Sequence, residues 1–409
     1  MIQFLKSAAR GIAAARTYGA GWIAGPIGGG FGFGGITSTA GKRVSSQTAL
    51  THSAVWDCVR KTAEMVSSLP VDHYRKGRDG SRDKVEDDLA EIVKVSPNSE
   101  QTSAEFWEGM VAAMVLQGNG YAERLFVGSR LVGLRPLLAC TPERTQEGAF
   151  RYNVLDRGKR ETLPADKVFH LRGFGAGDGL GMSAIRYGAN SIGAALAGDE
   201  TAGAYFSNAA MPAGVLQSEQ RGMTPEQSAQ MQDILDRFTG SRKAGKAMFL
   251  PAGFKWQQMQ MNPEDAQLLE TRRFAIEDVC RWFGVPPIVI GHAAEGQTMW
   301  GSGVEAILLS WLTLGVNPLL IRLEQRLAKD LLAPGTRRRE YFEYNREAMI
   351  QMDSRAKGDL MLKLGAGGTM TANERRQRLN LSRHPDPNAD ALLAQAQMTP
   401  LELLGRNDT

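Results

Sequence analysis

The stretch SAIRYGANSIGAALAGDETAGAYFSNAA, residues 183–210, constrains the fold more than any other part of the chain. It is long, rich in Ala and Gly, and small-sided throughout. Small side chains let a helix approach its neighbours closely, so this segment predicts a tightly packed helix. It also marks a change of texture. Before it come short strand-like pieces between helices, and after it the chain is mostly helical.

Upstream, AVWDCVRKTAEMVSSLP carries Val55, Cys58, Val59, Ala63 and Met65 as an apolar stripe at helical spacing, ended by Pro70. VDHYRK alternates as a strand does and GRDG supplies a turn. A second helix runs through AEFWEGMVAAMVLQG, capped by Thr102 or Ser103 and stopped by Gly118. YAERLFV, LVGLRPL, RYNVLD and KVFHLRGF then read as short strands, so residues 50–175 form an α+β region.

Downstream, Thr224, Pro225 and Gln227 open a helix with a capping box and Pro in the first turn. Its stripe is Met231, Ile234, Leu235 and Phe238, and Gly240 stops it. A basic loop leads to short strands. Asn262-Pro263 begins a helix reaching Phe283, with Gly284 as its stop, spanning roughly 30 Å. Its apolar face holds Leu268, Leu269, Ile276, Val279, Cys280 and Phe283; its polar face holds Glu270, Arg272, Arg273, Glu277 and Asp278. Ser302 and Glu305 open a helix to about Leu332, and Pro318 within it predicts a kink. From Asn345 the chain is helical and polar, broken at Gly365–Gly368 and at His384-Pro385.

The first forty residues are different. Residues 17–41 carry no charge, which raises a membrane span, but ten glycines and Pro26 lower helix propensity severely. They read as a flexible arm. Gly30, Gly32 and Gly35 satisfy G-x-G-x-x-G without the flanking strand and helix. Residues 35–42 miss a P-loop by one residue, with Arg43 where Ser or Thr is required.

Charge excludes a further class. Lys and Arg total 48 against 44 Asp and Glu, a net of +4, too little for a DNA condenser built on phosphate neutralisation. Cys58, Cys140 and Cys280 are too few and too dispersed for a disulfide framework, and read as reduced, buried thiols. The five histidines lie in no metal-ligand spacing, and G-x-S-x-G is absent. His170 reads as a packed strand residue, Cys280 as core, and Asp87 and Asp88 as a solvated charged turn. No catalytic constellation, metal site or cofactor site emerges.

Six stretches, taken in order, resemble the portal protein family of tailed bacteriophages. They are HSAVWDCVRKTAEMVSSLPVDHYRK; SPNSEQTSAEFWEGMVAAMVLQGNGYAE; GLGMSAIRYGANSIGAALAGDETAGAYFSNAAMPAGVL; AQLLETRRFAIEDVCRWFGVPPIVIG; NPLLIRLEQRLAKDLL; and TMTANERRQRLNL. The most specific is Phe-Gly-Val-Pro-Pro at residues 283–287. Two departures stand out: EDDLAEIVKV lacks the family's usual Pro, and residues 299–304 replace its Tyr-Ser-Asn.

The resemblance implies an α+β portal fold assembled as a ring of twelve. Residues 1–44 would be the arm and 45–190 the first part of the wing. Stem helices would occupy 191–211 and 263–284, with the clip at 212–262 between them. Residues 285–345 would form the tunnel loop and wing helix, and 346–409 the crown. It implies a structural ring at one capsid vertex, without enzymatic activity, forming the channel for packaging and ejecting double-stranded DNA. The implied tunnel-loop tip is Gln297, Thr298, Met299 and Trp300. The stem's channel face would be Glu270, Arg272, Arg273 and Glu277, unless these charges bridge neighbouring stems. The clip cations Arg237, Arg242, Lys243 and Lys246 would dock a partner, unless they are simply solvated. Implied partners are further copies of the chain, DNA without sequence preference, the terminase large subunit, the major capsid protein and a head–tail adaptor, with no membrane. The place would be the virion's portal vertex, after assembly in the bacterial host cytoplasm. Two other readings stay open: a nucleic-acid-processing enzyme of unknown type, and a membrane-associated oligomer.

Overall fold

The computed structural model describes residues 35–78, 81–156, 158–207, 214–218, 254–258, 264–292, 302–346, 354–379 and 381–393, together with Thr224, Ala229 and Gln232. The chain divides into two units, Met1–Glu343 and Tyr344–Thr409.

The first unit opens with a hairpin, β1 (Ile36–Thr37) and β2 (Arg43–Val44), where a P-loop was nearly spelled. Antiparallel strands, not a strand and a helix, flank the glycines there, so no phosphate cradle forms. A short helix α1 (Ser46–Ala49) leads into α2 (Ser53–Ser67). Val55, Cys58, Val59, Thr62, Ala63 and Val66 are its buried face. Val66, not Met65, completes the stripe, because the 3.6-residue period carries the buried face from position 62 to 66. Strands β3 (Val71–Lys76) and β4 (Arg82–Lys84) follow. Asp87 and Asp88, read as a solvated charged turn, are exposed as expected, but they open a helix, α3 (Asp88–Lys94). The Asp87 carboxylate accepts from the Ala90 amide at 2.8 Å as its N-cap, and Asp88 pairs with Arg130 at 2.7 Å.

Helix α4 (Ser103–Gln117) begins at Thr102, which accepts from the Glu105 amide while the Glu105 carboxylate accepts from the Thr102 amide. It is apolar on nearly every face beyond its first turn, in keeping with the burial of most of its length. Its Trp107 satisfies its indole N–H on the Val93 carbonyl at 3.0 Å. It covers a sheet ordered β10 (Val168–Arg172), β5 (Asn119–Val127) and β6 (Arg130–Pro136). A second antiparallel sheet runs β7 (Cys140–Arg144), β8 (Phe150–Asp156) and β9 (Lys159–Pro164). Tyr121, Leu137, Cys140, Tyr152, Val154, Leu163 and Val168 form one buried cluster shared by the two sheets. The sequence reading missed β7 and β9. Each buries one residue, so neither shows a period of two.

The short helix α5 (Ala184–Tyr187) and the long α6 (Ala189–Ser207) divide at Gly188 what was read as one helix. A hairpin of β11 (Gly214–Ser218) and β12 (Phe254–Gln258) precedes α7 (Glu264–Phe283), which ends at Gly284 with φ +66°. Helices α8 (Ser302–Trp311) and α9 (Asn317–Leu331) join through a π-helical turn, Leu312–Val316. That turn is how the chain absorbs Pro318, which offers no N–H to the preceding turn. Leu320, Leu323 and Leu327 bury the inner face of α9, which packs on β10. The run Gly303–Leu331 is, among the described residues, the one helix long and apolar enough to cross a membrane. Strand β13 (Glu340–Tyr344) adds to the edge of β3, where Arg75 pairs with Glu340.

The second unit holds α10 (Ser354–Ala366) and α11 (Ala372–Arg378), the latter capped by Thr371 and Glu374. Buried Asn373 donates to the His384 carbonyl at 3.2 Å and accepts from the His384 amide at 2.7 Å, so the His384-Pro385 break folds back on α11.

Candidate functional site

Helices α6 and α7 lie side by side, and the small residues of α6 also let the β1–β2 hairpin close against it. A Cβ on Gly193 would sit 2.2 Å from the Ser38 Oγ, and the aliphatic stem of Arg272 passes over Gly198. Two polar contacts tie the pair. The Arg272 guanidinium donates to Asp199 at 2.9 Å, and the Trp282 indole donates to the Ser191 hydroxyl at 3.0 Å. Asp199 also faces the His52 Nε2 at 3.8 Å. Burial pushes the His52 imidazole below its usual pKa; Asp199 opposes that shift and Arg272 adds to it.

The other expected stem charges are less engaged. Glu277 stands 3.9 Å from both Arg281 and His292, beyond hydrogen-bond range. Glu270 and Arg273 are exposed and form no ion pair with another described residue. Five consecutive residues, 270–274, are exposed, although Arg272 reaches Asp199 and the Arg281 guanidinium lies over the Phe274 ring. Gln297, Thr298, Met299 and Trp300, and the cations Arg237, Arg242, Lys243 and Lys246, lie outside the described residues.

At the root of the helix pair is an apolar groove of about 450 Å³. Met114, Tyr187, Trp282, Trp311 and Leu319 line it, and Tyr187 is its one titratable group. Among the described residues, that lining offers no acid–base pair to activate its Thr62 or Ser183 hydroxyl. Among the described residues, no cluster of three His, Cys, Asp or Glu could hold a metal.

The root is held by a buried polar hub. The Asn119 amide group donates to the Gly181 carbonyl and accepts from the Gly181 amide, both at 2.9 Å. His170 Nε2 lies 2.8 Å from the same Asn119 oxygen, and its Nδ1 lies 3.0 Å from the Tyr152 hydroxyl. One arrangement satisfies all three groups: neutral His170 donates from Nε2 and accepts at Nδ1. Burial first, then Arg172 and Arg326, pull its pKa down to about 2. Here His170 is a packed strand residue, with no substrate-facing side. The sequence reading missed Asn119 and Asp199. Asn119 stands between two glycines and Asp199 beside Glu200, and neither pattern marks a partner far along the chain.

A sequence profile described as phage portal protein matches residues 53–380. The chain belongs to the phage portal protein family. This family is structural, and its general role is the channel for DNA packaging. The portal protein of Enterobacteria phage HK97 is 30% identical over 372 residues, covering 89% of this chain and 86% of its own length. The probable portal protein of Streptomyces phage phiC31 is 30% identical over 332 residues, covering 76% of this chain and 70% of its own. In fold, the chain is similar to a solved chain from the neck of an empty GTA particle, with a TM-score of 0.59 at 24% identity, covering 83% and 93% of the two chains. It is also similar to an HK97 family phage portal protein from Corynebacterium diphtheriae, with a TM-score of 0.55 at 17% identity, covering 78% and 98%. The mixed helical and sheet architecture is therefore that of portal proteins.

Proposed function

We propose that twelve copies of this chain close into a ring at one capsid vertex and pass double-stranded DNA through its centre, during packaging and again during ejection. The observation that carries this reading is the turn at 270–274. A helix that packs on one partner yet keeps five consecutive residues exposed is suited to a repeating array, where a neighbouring copy covers one side and the lumen takes another. In that ring the stem is 191–211 and 263–284, the spans that α6 and α7 largely fill. The wing is 45–190, the tunnel loop and wing helix 285–345, the clip 212–262 and the crown 346–409.

Arg272 pairs with Asp199 of its own chain, which leaves Glu270, Arg273 and Glu277 as the less engaged charges of both signs on the stem. Mixed bands suit sliding, because each phosphate neutralised adds affinity and so resistance to movement. The uncharged tip at Gln297, Thr298, Met299 and Trp300 would touch the duplex without ion pairing. The clip cations Arg237, Arg242, Lys243 and Lys246 would face the terminase large subunit and later a head–tail adaptor, while the wing's rim meets the major capsid protein. Assembly would take place in the host cytoplasm.

The membrane reading has one observation on its side, the apolar run Gly303–Leu331. We assign its bare strip to a neighbouring copy: Leu308, Leu309 and Leu314 are 37%, 61% and 75% exposed, while the opposite face of α9 is already buried in protein.

Negative-stain imaging of the purified chain tests the ring. Annular particles with an open centre are expected, and a monomer at high concentration defeats the proposal. Deleting 293–301 should then leave rings intact and abolish DNA packaging; normal packaging by that variant defeats the loop assignment.

A further inference from the structure

Cys58 and Cys280 are 222 residues apart in the chain, yet their sulfurs lie 3.8 Å apart. Cys58 belongs to the buried face of α2 and Cys280 to that of α7, and they are 0% and 1% exposed. Their helices pack directly on each other, with Val55, Val59 and Val279 buried on the same faces. The Cys58 carbonyl is engaged by the Thr62 hydroxyl at 2.8 Å. The hydrogen bond between the two thiols holds Cys280 below the usual thiol range and, with burial, raises Cys58. Cys280 is therefore the readier nucleophile.

Cys140 provides a built-in contrast. It sits in the cluster between the two sheets, and burial alone pushes its thiol up to about 12.

We propose that Cys58 and Cys280 are a site of oxidative modification, a dithiol that closes to a disulfide and fastens α2 to α7 once the protein meets oxidising surroundings outside a cell. The sulfurs must approach from 3.8 Å to about 2 Å for the bond to form. The oxidant class is a hydroperoxide. The Cys280 thiolate attacks one peroxide oxygen and the O–O bond breaks. The departing hydroxide takes up the proton that Cys280 lost, leaving as water and Cys280 as a sulfenic acid. The Cys58 sulfur then attacks the sulfenyl sulfur. The S–O bond breaks, and the hydroxyl leaves as a second water with the Cys58 proton. In total two thiols are oxidised to one disulfide and hydrogen peroxide is reduced to two waters.

The consequence is mechanical. An open dithiol lets α7 shift against α2, whereas a disulfide fixes the angle between them. This does not depend on the proposed ring, because both cysteines belong to one chain.

The purified full chain is treated with hydrogen peroxide, free thiols are alkylated, and peptides are mapped by mass spectrometry without reduction. The Cys58 and Cys280 peptides should appear as one linked species within a single chain, with Cys140 alkylated. The melting temperature should rise by several degrees and return on adding dithiothreitol. Cys280→Ala and Cys58→Ala should each remove the link and the shift, while Cys140→Ala keeps both. Should one variant fail to fold, the other and the wild-type map still decide. Free Cys58 and Cys280 after oxidation, separate sulfinic acids, or a link between two chains would each overturn the proposal.

Discussion

Replacing Leu314 tests the ring contact most directly. It projects from the π-helical turn and is 75% exposed in the single chain. Fully burying a leucine contributes roughly 2 kcal/mol, so covering this fraction contributes about 1.5 kcal/mol to each contact between copies. That corresponds to about tenfold in affinity. Leu314→Ala removes most of the term, and rings should need about tenfold more protein to form. Leu314→Asp removes it all and places a carboxylate against apolar surface, where an unpaired charge is far more costly. This variant should stay monomeric across the range in which the wild type is closed. Because the side chain is bare in the folded chain, neither change should alter the far-UV circular dichroism or lower the monomer's melting temperature by more than a degree or two. Light scattering coupled to gel filtration, over a concentration series, reads the result. If Leu314→Asp closes rings at the wild-type concentration, the apolar strip is not the contact and the argument from its exposure fails.

Two further outcomes follow from the hub at the root of the α6–α7 pair. His170 binds a proton near pH 6.5 when unfolded but only at about 2 when folded, so stability is complete above pH 6.5 and falls as the pH drops towards 2. The loss is about 1.4 kcal/mol per pH unit, or about 2 kcal/mol between pH 7 and pH 5. Deuterium exchange at the imidazole C2 position, followed by mass spectrometry, should show no inflection for His170 above pH 4.5; a midpoint near 6.5 would contradict the neutral hub. A Cβ on Gly181 would lie 1.8 Å from the Gly118 carbonyl oxygen, a backbone atom that cannot swing aside. Gly181→Ala should cost about 3 kcal/mol or more, seen as insolubility or a large drop in melting temperature. Gly203→Ala, which meets open space, is the control.

Elements whose signals are local were readable along the chain. Thr102 and Glu105 cap α4 because a capping box needs residues only three apart. Gly284 ends α7 because a left-handed turn needs only a missing Cβ. The acidic run at 86–88 misled because the same carboxylates serve a turn or a helix N-terminus. The choice went to the helix, where Asp87 meets the Ala90 amide and Asp88 meets Arg130. Strands β7 and β9 carry one buried residue each, so the pattern that marks a strand was never written there.

The candidate site divides in the same way. That α6 must lie close to something was evident from its alanines and glycines, and that α7 has one apolar and one charged face was evident from its period. These are properties of neighbours in sequence, and backbone geometry converts them directly into structure. That Arg272 meets Asp199, that Asn119 clasps Gly181, and that Cys58 meets Cys280 are contacts across 73, 62 and 222 residues. No local pattern encodes such pairs, because each is chosen by how the helices and sheets close over a shared core, and only that closure brings the groups within bonding distance.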